Sequence, residues 1–262
     1  MHNFDFVKPS SVAEAVAALA NEDALPLSGG QTLIPSMKAR LNAPETLVSL
    51  TGIDELKGVC VDGGSLVIGA ATTHATVAAE AASHFPGLAA LAGQIGDPAV
   101  RNRGTLGGSL ANNDPSACYP AAALGTGATV VTNTREIAAD DYFQGMFTTA
   151  LEEGEIITSV RFPIAEKSAY AKFLQPASRF ALTGVFVAKY ASGVRVAVTG
   201  ASENGVFRWA EAEAALSQDF SADAIADLKC SPDEMISDLH GTPEYRAHLV
   251  GVMTRRAVAA AR

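Results

Sequence analysis

Apolar and polar residues alternate at the start of the chain, with Phe4 and Phe6 flanking Asp5, which predicts a short edge strand running toward Pro9. Ser11-Val12-Ala13-Glu14 follows as a capping box and predicts a helix from about 12 to 20, with Val12, Val16 and Leu19 on one face. The apolar run Ala24-Leu25-Pro26-Leu27 and the segment 46–50 read as strands, and Asp62-Gly63-Gly64 turns the chain into another at 65–68. Alanine-rich segments at 73–83 and 88–94 read as helices separated by Pro86. Residues 128–133 and 156–162 are again strand-like.

Pro163 and the polar run 165–168 mark a boundary. Beyond it, residues 169–175 look extended, and 185–190 with 194–199 predict a hairpin around Ala191-Ser192-Gly193. Helices are expected at 209–216, 222–228 and 244–260. Tyr245, Leu249, Val252 and Arg256 share one face of the last helix, a spacing that predicts core packing with a salt bridge. The second part is therefore α+β.

Composition narrows the classes of function. A chain of 262 residues with 48% hydrophobic and 18% charged residues can bury a sizeable core, divided between two domains or subdomains. Its net charge of −9 gives no basic surface for nucleic acid. No apolar run is long enough to span a membrane, and the first residues, MHNFDFVKPS, are not a basic-then-apolar signal; both features point to a cytoplasmic protein. Cys60, Cys118 and Cys230 are scattered and cannot by themselves ligate an iron–sulfur cluster or a structural zinc.

Chemistry concentrates in two similar stretches. Ser28-Gly29-Gly30-Gln31-Thr32 and Thr105-Leu106-Gly107-Gly108-Ser109 each set a glycine pair between hydroxyl residues, so that backbone N–H groups can approach an anion without an intervening Cβ. A single glycine pair usually does no more than turn the chain. Two matching loops suit a diphosphate better than two chance turns. Neither the G-x-G-x-x-G fingerprint nor a Walker motif is present, so a nucleotide would be held in a different fold. Gly107 is expected to face the anion, so that valine there would block binding without harming the core. Arg101 and Arg103 can meet a phosphate or support the loop. Asp114 can bind sugar hydroxyls or cap a helix that begins at Pro115. His74 and His84 have no neighbouring constellation and read as packing or surface residues.

The segments LPLSGGQTLIPSMKARL at 25–41, IGAATTHATV at 68–77, IGDPAVRNRGTLGGSLANNDP at 95–115 and EEGEIITSVRFP at 152–163 carry a resemblance, extended by YAKF at 170–173 and DLHGTPEYRAHL at 238–249. They resemble the flavin-binding medium subunit of the molybdenum hydroxylases, the family of xanthine dehydrogenase and aerobic carbon monoxide dehydrogenase. The resemblance implies an α+β fold: a PCMH/VAO-type FAD-binding domain over 1–164, with subdomains of about 1–54 and 55–164, and a small α+β C-terminal domain over 165–262.

It also implies non-covalent FAD. Ser28, Gly29, Gly30, Gln31 and Thr32 with Thr105, Leu106, Gly107, Gly108 and Ser109 would take the pyrophosphate and adjoining ribityl, and Ile95, Ile157 and Lys172 would touch the flavin. Cys118 stands where the family commonly has an acidic residue, a contact that Asp114 or a water could replace. The implied role is electron transfer from a small [2Fe–2S] subunit to an external acceptor, beside a large molybdopterin subunit, in a dimer of heterotrimers. One rival reading of these residues is a self-contained FAD oxidase or reductase, for which Tyr142 or His240 would have to serve as acid or base, and a second is a non-catalytic partner whose nucleotide site is merely structural.

Overall fold

The computed structural model describes residues 1–262, built on three sheets that follow one another along the chain. The first comprises β1 (Asp5–Val7), β2 (Ala24–Leu27) and β3 (Thr46–Ser49), all parallel in the order β1-β3-β2. Parallel neighbours need crossovers, which α1 (Val12–Leu19) and α2 (Leu33–Lys38) supply. Ser11 Oγ accepts from the Glu14 N–H, as the capping box predicts. The Glu14 carboxylate, however, reaches back one residue farther, to the Ser10 N–H and hydroxyl.

The second sheet is antiparallel, in the order β4-β5-β8-β6-β7, from β4 (Val59–Asp62), β5 (Ser65–Gly69), β6 (Thr129–Thr132), β7 (Glu136–Ala138) and β8 (Ile157–Pro163). Between β5 and β6 the chain runs through α3 (His74–Glu80), α4 (Pro86–Gly93), α5 (Pro98–Arg101), α6 (Leu106–Asn112) and α7 (Tyr119–Thr126), and α8 (Ala139–Tyr142) follows β7. Every residue of α7 is buried. Its sequence, YPAAALGT, is small and apolar on all sides because neighbours cover it all round.

The third sheet is the meander β9 (Lys167–Leu174), β10 (Ala181–Tyr190), β11 (Gly193–Ser202) and β12 (Gly205–Arg208), with α9 (Ala210–Gln218) and α10 (Pro243–Ala260). Its inner strand β10 is covered on both faces. Val185 and Val187 pack with Val250 and Met253 of α10, whereas Phe186 and Ala188 join the core around α4 and α7. The Phe85 and Phe186 rings meet edge to face, with centroids 6.3 Å apart. The third sheet is thus seated on the helices of the second.

Two expectations about the C-terminal helices need correction. Residues 222–228 form only a 3₁₀ turn at Asp223–Ile225, anchored by buried Ile225. On α10 the buried stripe runs through Arg246, Leu249, Val250, Met253 and Ala257, while Tyr245 and Arg256 are exposed and Val252 is half-buried. The ion pair belongs to Arg246, which binds Asp238 at 2.8 Å and donates to the Leu182 and Gly200 carbonyls. It locks the 238–241 loop onto the sheet. No helix is long and apolar enough to cross a membrane.

Candidate functional site

The two glycine stretches come together in space from different sheets. β2 ends at Leu27 and delivers Ser28 beside Thr105, whose hydroxyls share a 2.7 Å hydrogen bond. Gly29 presses on the other side of the junction, where an added Cβ would come within 2.3 Å of the Arg103 carbonyl oxygen and 2.6 Å of Gly104 Cα. Only glycine permits that approach. Gly30 turns the chain at φ +69°, in the left-handed region, and leads into α2.

The two stretches are not equivalent. In the first, the backbone N–H groups of Gly29, Gly30, Gln31, Thr32 and Leu33 donate to no acceptor in the protein, giving five consecutive free donors. In the second, the glycines lie in the first turn of α6, where the N–H groups are already committed. Leu106 donates to the Thr72 carbonyl, Gly107 to the Ala70 carbonyl, Gly108 to Thr105 Oγ1 at 3.3 Å and Ser109 to the Thr105 carbonyl. The expectation that both loops offer N–H groups therefore holds for the first alone. The second supplies hydroxyls, a wall and the cap that holds the wall in place.

Gly107 also differs from expectation. A Cβ there would meet Ala70 Cβ at 2.6 Å and the Ala70 carbonyl oxygen at 2.9 Å, so this glycine serves helix–strand packing and a valine would disrupt the fold. Gly108 is the residue that looks across the junction, where a Cβ would lie 2.9 Å from Thr105 Oγ1 and 3.7 Å from Ser28 Cβ.

Charges around the loops are arranged to support them. Arg101 donates to the Ile95 and Gly96 carbonyls at 3.0 Å each, so it braces the turn before α5. Asp97 caps that helix through the Val100 N–H. A polar cleft of about 590 Å³ opens beside Ser28, Gly29 and Thr105, with Lys57, Thr76 and Arg103 on its wall, a size suited to part of a nucleotide. His74 is buried behind the second loop, and burial, with Arg101 adding to it, pushes its imidazole down to about 4. It is neutral near pH 7 and unavailable at the surface. His84 is exposed.

The remaining residues singled out from the sequence lie along one flank. Asp114 does not cap a helix at Pro115; its carboxylate accepts from the Ser116 N–H in a turn, and the next helix starts at Tyr119. Thr199 of β11 donates to the Pro115 and Ala117 carbonyls and pins that turn to the third sheet, a role that local sequence does not reveal. Ile95 is half-buried against the core and Ile157 is buried in β8. Lys172 Nζ donates to the Gln94 carbonyl at 2.7 Å and the Arg179 carbonyl at 3.0 Å, with Cys118 Sγ at 3.5 Å. Residues from the second and third sheets thus meet at Lys172.

This donor set fits a dinucleotide diphosphate: a run of free N–H groups, two hydroxyls bridged across the junction, and a glycine facing it. Comparison with known proteins identifies the family. Residues 2–165 match the family model described as "FAD binding domain in molybdopterin dehydrogenase". The carbon monoxide dehydrogenase medium chain of Afipia carboxidovorans is 37% identical over 98% of this chain and 96% of its own length. The nicotine 6-hydroxylase medium subunit of Paenarthrobacter nicotinovorans is 34% identical over 97% and 95%. The crystal structure of quinoline 2-oxidoreductase from Pseudomonas putida 86 superposes with a TM-score of 0.88 at 28% identity, covering 98% and 96% of the two chains. With a matched family model over most of its length and such relatives end to end, the chain belongs to the FAD-binding medium subunits of the molybdenum hydroxylase family.

Proposed function

We propose that the chain is the FAD-holding electron-transfer subunit of a multi-subunit molybdenum hydroxylase, and that the Gly29–Leu33 turn receives the cofactor's diphosphate. The observation that carries this reading is the run of five free N–H groups beside the Ser28–Thr105 bridge. Ser28, Thr105, Gly108 and Ser109 close the diphosphate site, and Ile95, Asp114, Ile157 and Lys172 follow the flavin half. When bound, FAD supplies the redox chemistry, taking electrons from a small [2Fe–2S] subunit and yielding them to an external acceptor. The protein's own part is to bind, orient and tune; a large molybdopterin subunit carries the substrate chemistry. A cytoplasmic location belongs to the same proposal, and cell fractionation tests it.

The relatives' names span carbon monoxide, nicotine and quinoline on closely similar chains. Substrate choice is accordingly assigned to the large subunit. The self-contained oxidase reading finds no support in the candidate acid–base groups. Tyr142 is fully buried, donates to the Leu110 carbonyl and is pushed well above the usual phenol range by burial; His240 sits exposed on a loop.

FAD titration of the full chain tests the site. Gly108→Val places its branches between Thr105 and Ser28 and is expected to abolish FAD binding while the far-ultraviolet circular dichroism is kept. Undiminished stoichiometric FAD in this variant would remove the diphosphate assignment.

A further inference from the structure

We propose that Cys118 positions the Lys172 side chain without a carboxylate partner, and that this arrangement raises the reduction potential of the bound FAD. The inference rests on the proposed placement of the flavin beside Lys172 and adds a tuning role for Cys118.

Lys172 Nζ has three protein contacts within hydrogen-bond reach: the Gln94 carbonyl at the end of α4, the Arg179 carbonyl in the β9–β10 connection, and Cys118 Sγ ahead of α7. No carboxylate lies within 4.0 Å of it. The charge is thus positioned by dipoles and a thiol, from three separate elements. Cys118 is only 5% exposed and precedes a helix buried along its whole length, so its sulfur has little freedom to move. Beside it lies the Tyr170 hydroxyl, buried and without a hydrogen-bond partner. Burial first, and Cys118 next, push that phenol upward, so it stays neutral and offers no anion to Lys172. Asp97, near Arg179 and Arg101, is occupied as the cap of α5.

An ammonium stabilises the more negative, reduced state of a neighbouring cofactor, and the effect is strongest where no counter-charge cancels it. A thiol at 118 occupies the third position around Nζ and leaves no carboxylate there. Aspartate at the same position would pair with Lys172 and cancel much of its field. Asparagine would match the shape of aspartate and leave the charge unpaired. Cys118 is therefore a positioning residue that acts through Lys172.

The test is the midpoint potential of FAD bound to the full chain, at fixed pH and ionic strength, for wild type, Cys118→Asp, Cys118→Asn and Lys172→Met, with Cys118→Asp repeated in the Lys172→Met background. Cys118→Asp is expected to make reduction about tenfold less favourable, about 30 mV for a two-electron couple. Cys118→Asn should stay within about threefold of wild type. With Met at 172, the aspartate should add less than half of its single-variant shift, because the lysine through which it acts is gone. The inference is overturned if aspartate and asparagine lower the potential equally, if aspartate leaves it unchanged, or if the aspartate shift is the same with Met at 172. The asparagine variant keeps the test open should the aspartate variant not fold. Failure of wild type to bind FAD would strike the functional reading itself, an outcome seen from flavin absorbance before any potential is measured.

Discussion

Ser28 and Thr105, 77 residues apart in the chain, share a 2.7 Å hydrogen bond that ties the end of a parallel strand to the first turn of a helix in another sheet's connection. Thr105 also caps that helix through the Gly108 N–H. Removing the two hydroxyls should therefore have unequal effects. Thr105→Ala is expected to lose about 0.5–2 kcal/mol of stability with the cap, and FAD affinity with it. Ser28→Ala should weaken FAD binding at nearly unchanged stability. Urea denaturation and FAD titration of the two variants separate the outcomes.

The neighbouring glycines should divide in the same way. Gly107→Ala forces a Cβ onto Ala70, and an overpacking cost of about 1–3 kcal/mol is expected in denaturation even without FAD. Gly108→Ala meets mainly the Thr105 hydroxyl and should cost less stability but more FAD affinity. Equal losses in both assays for both variants would contradict the division of roles.

Much of this fold is readable from local pattern, and the exceptions share a cause. Most strands, the first glycine turn and the hairpin follow from periodicity and turn residues, whereas the short strands β4, β7 and β12 at sheet edges carry too few residues to set a pattern. The helix α6 does not, because a glycine pair is unfavourable in a helix and reads as a loop. Contact of Gly107 with Ala70 and the N–H bonds to the Ala70 and Thr72 carbonyls override that preference. α7 escapes because it is buried on every side and has no polar face to set a period. The stripe on α10 is misplaced because Arg246, a charged residue, is among its buried positions, satisfied by Asp238 and two carbonyls. Likewise, the two glycine stretches are visible as motifs, but their inequality is not. It arises from which N–H groups find partners in a strand far away in sequence. The Cys118–Lys172 contact spans 54 residues and has no local signature.

Thr199 offers a test of coupling at a distance from the cofactor. Its hydroxyl reaches the Pro115 and Ala117 carbonyls from the third sheet. Thr199→Val keeps the volume but leaves those contacts unmade, so a stability loss of about 1–3 kcal/mol is expected. FAD affinity should fall as well, because the 114–118 turn is released. A stability loss with wild-type FAD affinity would show that the turn does not serve the cofactor site.

Acid should destabilise the chain in two windows. His74 is held at about 4 against an ordinary 6.5, so the unfolded chain binds its proton first and stability falls as pH drops from 6.5 toward 4. Glu155, held by Arg135 and then by the Glu152 N–H and the Thr132 and Thr134 hydroxyls, sits at about 2 against 4.5. Its contribution is present above 4.5 and is lost as pH falls toward 2. His74→Gln should flatten the upper window and Glu155→Gln the lower one, each removing a slope of at most about 1.4 kcal/mol per pH unit in denaturation measured across pH.

The most direct test of the central claim is the flavin content of the chain isolated together with the iron–sulfur and molybdopterin subunits proposed as its partners. One FAD per chain is predicted, released intact by acid precipitation because it is not covalently held, and lost from the Gly108→Val complex. A complex without flavin, or full FAD occupancy in that variant, would contradict the account.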